Sequence, residues 1–271
     1  MNRISTWLTT LALLACSVAA NATMTSIDGG ALVNDSTDNL TWVADADLFA
    51  TMAAASGNPA NFVQTIINNS GGIIHDTPNA DDYPAPNSGS YALSTSDFTP
   101  TTTRLNNAGA MTWFGAMAWV NYLNVTKYQG YSEWRLPTTI DASSSTGNPS
   151  GGAGNPPVTS SELAELFYGQ LGQVTNQPIL TTHNGNYSLF SNMQDYAYWS
   201  GTENAAAPSN AWNYSNDGGL QQPYDKFLSE DMAMVVRSGQ ATTVPLPNAA
   251  WLMLSGLSGL ALIGRRRLWP Q

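Results

Sequence analysis

Cysteine is almost absent from this chain. Cys16 is the only one in 271 residues, and it sits in the N-terminal apolar stretch. If that stretch is removed on export, the mature chain has no disulfide, no thiolate nucleophile and no cysteine metal site. Histidine is nearly as scarce. His75 and His183 both lie in polar, turn-rich sequence that reads as solvated loop. A His/Cys metal centre is thereby excluded, and a two-His-one-carboxylate site would need both histidines to meet. Neither a Gly-x-Ser-x-Gly elbow nor a His-Glu-x-x-His pair occurs. The glycine-rich run Gly151-Gly152-Ala153-Gly154 lies in low complexity without the lysine a phosphate cradle needs. Paired carboxylates can hydrolyse glycosides. With 19 acidic residues, however, some pair is always available, so the pattern selects nothing. No catalytic residue is assigned, and the chain is read as no enzyme.

Positive charge is also sparse, with 9 basic residues against 19 acidic. Four of the nine, Arg3 and Arg265-Arg266-Arg267, lie at the two ends. Without those ends the net charge falls to −14, from 5 basic and 19 acidic residues. Such a surface excludes nucleic acid, whose binding rests on Lys and Arg against phosphate. It is soluble, self-repelling and attractive to divalent cations. Asp35, Asp38 and Asn39 cluster in sequence, as do Asp45 and Asp47, Asp76 with Asp81 and Asp82, and Asp217 with Asp225. These are hard oxygen ligands of the kind calcium takes. No EF-hand spacing occurs and no ligand set emerges, so no metal site is assigned and no cofactor is expected beyond calcium as an open alternative.

The two ends read as addresses. Arg3 is a minimal positive n-region, residues 7–15 are a short apolar h-region, and Ala20-Asn21-Ala22 is an A-x-A cleavage site. The signal peptide is therefore 1–22 and the mature chain begins at Thr23. Leu13-Leu14-Ala15-Cys16 offers a lipobox alternative with a poorly fitting second Leu. At the other end, residues 249–264 carry no charge. As a helix this run spans about 24 Å at roughly 1.5 Å per residue. That is slightly short of a hydrocarbon core of about 30 Å, a gap that arginine snorkelling and local thinning close. Arg265, Arg266 and Arg267 should remain cytoplasmic, leaving everything upstream outside.

Val244-Pro245-Leu246-Pro247, the apolar run with Ser255-Gly256-Leu257 and Ser258-Gly259-Leu260, and Arg265-Arg266-Arg267 together resemble the PEP-CTERM sorting signal of Gram-negative bacteria. Leu246 stands where the family usually has Glu. The resemblance implies export by the Sec translocon, transient inner-membrane anchoring and processing by an exosortase near 244–247. The product would reach the cell surface or the extracellular matrix, where polysaccharide is the expected neighbour.

Between the ends, residues 26–35 read as a turn and a short strand, and 40–43 as the next strand. Residues 48–55 read as a short helix or irregular arm, and 58–69 carry Phe62, Val63, Ile66 and Ile67 at helical spacing. Residues 71–103 lack periodicity and read as a long surface loop or insertion. A helix is expected over about 112–124, capped by Thr112, with Trp113, Met117, Val120 and Leu123 on one face. A second begins at Thr159 in a capping box with Glu162 and buries Leu163, Leu166, Phe167 and Leu171. Low-complexity residues 143–157 form a flexible insertion. Residues 196–200, 211–214 and 232–237 read as strands, and 238–243 as a linker to the tail. The class is α+β, and of the nine tryptophans in the chain the six from Trp42 to Trp212 supply much of the burial.

Trp134-Arg135-Leu136-Pro137-Thr138 follows a helix ending in Trp119-Val-Asn-Tyr-Leu-Asn124. Ser161-Glu162-Leu163, Tyr198-Trp199-Ser200-Gly201-Thr202 and Val236-Arg237 follow in order, and Asp38 to Trp42 precedes them. This series resembles a domain family of unknown function, the Lcl C-terminal-like domain, related to the C-terminal domain of a Legionella collagen-like adhesin. It covers 23–239, with insertions at about 71–103 and 143–157, a linker at 240–243 and the sorting signal at 244–271. The resemblance implies a C-type-lectin-like fold of two helices, a small twisted, mainly antiparallel sheet and long loops. A non-enzymatic binding module for polysaccharide or another surface polymer is the function it suggests. A ligand-free structural matrix component and a carboxylate-dependent hydrolase are the alternatives. The motif residues themselves read as structural. Trp134 and Leu136 enter the core on either side of the chain, Arg135 pairs with a carboxylate such as Glu162 with a ligand-facing role as its alternative, and Tyr198 and Trp199 are core with a sugar platform as theirs.

Overall fold

A computed structural model describes residues 24–102, 107–141 and 161–242. The expected signal peptide with Ala20 and Ala22, Thr159, the low-complexity insertion and the whole sorting signal lie outside the described residues. Among the described residues, no helix is long and apolar enough to cross a membrane.

The chain opens with a meander. β1 (Met24–Ile27), β2 (Leu32–Asp35) and β3 (Leu40–Val43) pair antiparallel. The β2–β3 turn is set locally: Asp35 Oδ1 accepts from the amides of Thr37 and Asp38, and Asn39 takes the left-handed conformation. Two helices follow, α1 (Leu48–Ala55) and α2 (Pro59–Asn69). Asp47 and Asn58 cap them by accepting from the Ala50 and Asn61 amides, and Pro59 suits the first helical turn. β4 (Ile73–His75) and β5 (Ser90–Ala92) form a hairpin. Thr112 caps α3 (Trp113–Thr126) through the Gly115 amide. Ser161 caps α4 (Glu162–Ala164), which runs on as a π-helical turn over Glu165–Gln170. The last sheet is β6 (Ala197–Glu203), β7 (Asn210–Ser215) and β8 (Leu220–Asp225). β9 (Val236–Ser238) then returns to pair with β3 as the fourth strand of the first sheet.

The class is α+β as expected, with four helices and small antiparallel sheets. Of the two readings of 48–55, the short helix is the one observed, because Asp47 supplies the cap and the segment is rich in helix-forming Ala. Three differences have physical causes. Residues 71–103 are not merely loop. They contain the β4–β5 hairpin and bury Tyr91, Asp82 and Asp97. Residues 232–237 are strand only from Val236 onward, since Asp231 and Met232 make isolated bridges to different partners. The expected linker is partly stitched down: Ala241 is buried, and its amide donates to Asn34 Oδ1 and Thr41 Oγ1.

Strand alternation divides the interior into two cores. Val43, Leu32 and Trp199 enter a cluster with Phe49, Phe62, Phe114, Trp119 and Trp134. Their neighbours Trp42, Val33 and Tyr198 enter another with Leu166, Phe167, Tyr214 and Met234. Successive side chains point to opposite faces of a strand, so β2 and β3 are buried on both sides. Trp113 donates its indole N–H to the Ser200 carbonyl and Trp199 donates to that of Met111, at 2.9 and 2.8 Å.

The α1 cap makes stability pH-dependent. Burial, and secondarily Asp45, push the Asp47 carboxyl up from 3.8 to about 7, although the Ala50 amide pulls it down. In the unfolded chain it ionises near 3.8. Between these values the folded state holds the extra proton, so this group weakens the fold as pH rises through that window, fully so above about 7. Asn retains capping ability. Asp47→Asn should therefore stabilise at pH 8 by on the order of 2 kcal/mol and have little effect near pH 4. Denaturant melts at the two pH values check this.

Candidate functional site

The Trp134-Arg135-Leu136-Pro137-Thr138 segment is structural in every side chain whose contacts are defined. Arg135 exchanges both backbone hydrogen bonds with Val236, extending the sheet beyond β9. Its guanidinium binds Glu162 in bidentate fashion, Nη1 to Oε2 at 2.6 Å and Nη2 to Oε1 at 2.7 Å. Glu162 Oε2 also accepts from the Thr138 amide at 2.7 Å. Asn124, at the end of α3, grips both the amide and the carbonyl of Trp134. Trp134 and Leu136 do not part to either side of the chain: both enter the core of α1 to α3. Residues two apart on extended backbone share a face, and Arg135 takes the other. The Pro137 carbonyl accepts from Gly201, while Leu163, Tyr198 and Trp199 are fully buried. Arg237 lies 4.2 Å from the Tyr131 ring centroid and 3.6 Å from Glu133, a cation–π contact.

A cleft lies elsewhere, in the segment expected to be plain insertion. It encloses about 590 Å³ between residues 80–96 and Phe227. Tyr91 forms its floor, stacked on Phe114 at 3.9 Å with its hydroxyl donating to Asp97. Tyr83 and Phe227 stand at its rim, 62 and 45 % exposed. Neither is loosely held. The Tyr83 amide donates to the Ser90 carbonyl and its own carbonyl accepts from Ala92, so an exposed ring sits on backbone locked to β5. Phe227 and Leu228 are set by Asp225 Oδ1, which accepts from both amides. Pro84 and Pro86 stiffen the wall. Asp82 is buried and spent on structure, accepting from the Asn79 and Gly89 amides at 3.1 and 2.6 Å. Asp81 also lines the cleft, with its Oδ2 buried and without a hydrogen-bond partner. Burial first, then the charge of Asp225, raises its pKa.

The cleft combines exposed aromatic rings, rigid prolines, two serines (Ser94 and Ser96) and carboxylate, with no Lys or Arg among the described residues that line it. Aromatic faces stack on the apolar C–H faces of sugars, and the polar groups can take hydroxyls or an amine. A sulfate or uronate would meet negative charge. A separate hollow of about 330 Å³ holds Tyr196, Tyr224, Leu228, Ser229, Glu230 and Asp231. There, burial raises Asp231 to about 6 although Asn213 donates to it.

The two histidines are exposed and serve separate partners. His75 lies on β4 rather than in a loop and contacts Ser90 Oγ, while His183 stacks on Tyr187. Among the described residues, no group of three or more His, Cys, Asp or Glu is placed to hold a metal ion. Of the acidic clusters, Asp35 builds a turn and Asp47 a cap. Sequence reading passed over Tyr83, Pro84, Pro86 and Phe227. The signal that could have found them is Tyr83-Pro84-Ala85-Pro86 directly after Asp81-Asp82, an aromatic and two prolines beside two carboxylates.

Glu162→Ala should cost about 1–3 kcal/mol, because it strands a half-buried guanidinium and the Thr138 amide. Ligand binding by the folded fraction should not change, and parallel melts and binding isotherms check both statements. Compared with protein-family models, curated proteins and solved structures, the chain matches none.

Proposed function

We propose that this chain is exported by the Sec translocon, anchored briefly in the inner membrane and processed by an exosortase near Val244, Pro245, Leu246 and Pro247. The resulting domain then works at the cell surface or in the extracellular matrix as a non-enzymatic binding module. Its ligand is a polysaccharide or another surface polymer, of neutral or amine-bearing rather than sulfated or uronic type. The observation that carries the binding reading is the cleft. Tyr83 and Phe227 are large, exposed and held on fixed backbone, as a preorganised stacking platform requires. We read the α+β arrangement as C-type-lectin-like. In support, α3 and α4 serve cores on opposite faces of the sheets and long loops build the cleft.

A second reading, a carboxylate-dependent hydrolase, has one observation in its favour: Asp231, buried in the smaller hollow beside Glu230 with its pKa near 6. A general acid needs such a value. Release of reducing sugar, abolished by Asp231→Asn, would establish that reading and displace the first.

Binding of the secreted protein to exopolysaccharide from the producing bacterium is the direct test. Tyr83→Ala and Phe227→Ala should each weaken it about tenfold, or ~1.4 kcal/mol, without lowering the melting temperature, because both rings are exposed. Unaltered affinity in both variants would remove the cleft from consideration. Mass spectrometry of the secreted form should show a start at Thr23 and loss of the tail within 244–247. A product retaining Arg265, Arg266 and Arg267 would contradict processing.

A further inference from the structure

Lys226 is the one lysine in the interior of the described fold. It follows β8 directly, and its side chain has no exposed surface. Its Nζ donates to Asp76 Oδ2 and to Glu203 Oε2, each at 2.6 Å. The ring of Trp113 lies 4.8 Å away and that of Phe114 6.0 Å. Asp76 is equally buried. Its Oδ2 also accepts from Asn79 Nδ2 at 2.8 Å, while its Oδ1 is buried with no hydrogen-bond partner. Glu203 is partly exposed and accepts from the Thr77 amide. A fully desolvated ion pair costs several times what an exposed one does, and this one has carboxylate in excess.

The same atoms are the complete set for amide formation. A primary amine touches a buried carboxyl, a second carboxylate touches the same nitrogen, and an aromatic wall excludes the water that would reverse the reaction. We propose that Lys226 and Asp76 condense into an intramolecular isopeptide bond, with Glu203 as the proton carrier. The ammonium first gives a proton to the Asp76 carboxylate, leaving a neutral amine and a neutral acid. Nζ then attacks Cγ. Glu203 takes one proton from Nζ and passes it to the departing oxygen, ending as it began. The Nζ–Cγ bond forms, one Cγ–Oδ bond breaks and water leaves. Ammonium plus carboxylate gives amide plus water, so atoms and charge balance with no other reactant. Oδ2, which touches Nζ and accepts from Asn79 Nδ2, is the oxygen that takes both protons and departs, and Oδ1 is retained as the amide oxygen.

Two further features agree. Burial raises the Asp76 pKa, and Asp82 and Glu203 add to this against the lowering by Lys226. A carboxyl held toward its protonated form is the better electrophile. The bond would also join residues 150 apart in a chain whose one cysteine lies within the expected signal peptide. It would tie the segment leading into the cleft to the residue before Phe227, and so set the distance between two cleft walls. The inference stands whatever the cleft binds.

Intact mass spectrometry of the secreted protein, with both termini mapped, tests the proposal. The expected mass is one water below that of the sequence. Fragmentation of a digest should yield a branched peptide joining Asp76 to Lys226. Glu203→Gln should fold, melt at lower temperature and show no water loss beyond its own substitution; Lys226→Arg should likewise lack the branch. A folded wild-type protein of full mass overturns the proposal. So does a water loss that persists in Lys226→Arg or maps to another residue, such as a succinimide at Asp217.

Discussion

Everything in this fold converges on residues 231–238. Asp231 exchanges backbone hydrogen bonds with Met111, just ahead of α3. Met232 bonds to Ala197 and Trp199 of β6, the Val235 carbonyl takes the Val43 amide, and Val236 pairs with both Trp42 and Arg135. Residues 231–236 are all buried. One extended segment thus joins the first sheet, the last sheet, the approach to the central helix and the Arg135 motif. An extended chain can do this because its donors and acceptors leave on both sides. A buried one must do it, because each unpaired backbone group costs free energy. The two cores are separate clusters of side chains held together by backbone that belongs to both.

That arrangement explains why the motif residues are structural. Arg135 reaches the sheet edge through its main chain and Glu162 through its side chain, so it fastens the start of α4 to the return strand. Trp134 and Leu136 fill the first core from the same extended segment. The exposed rings of the cleft lie instead on peripheral segments that the core holds in place without consuming them. Tyr83 shows the division clearly, with its backbone committed to β5 and its ring exposed.

The scarcity of basic residues takes on meaning in three dimensions. Of the five expected in the mature chain, Arg135 bridges the motif to α4, Arg237 stacks on Tyr131, and Lys226 is sunk among carboxylates. Three of the few positive charges therefore fasten one part of the fold to another. Carboxylates are spent in the same way, with Asp35, Asp82, Asp97 and Asp231 buried, and among the described residues the cleft has no cation in its lining.

By itself, the sequence determined the α+β class, the Thr112 cap and α3, the buried face of α4, and strands β3, β6 and β7. These are local matters of periodicity and capping. It also pointed to Arg135 pairing with Glu162 and to the core roles of Tyr198 and Trp199, because charge and apolar bulk carry strong burial rules. Tertiary structure alone decided the rest. Residues 71–103 have no hydrophobic period, since their order comes from Asp82, Asn79 and Asp97 bonding to backbone and to distant chain. The cleft needs Phe227 beside Tyr83, more than a hundred residues earlier in the chain. Lys226 reads as a surface residue in any window of sequence. Only folding brings Asp76 and Glu203 to its amine and Trp113 over it. Local patterns encode which face of an element is apolar; contacts between distant polar residues leave no such pattern.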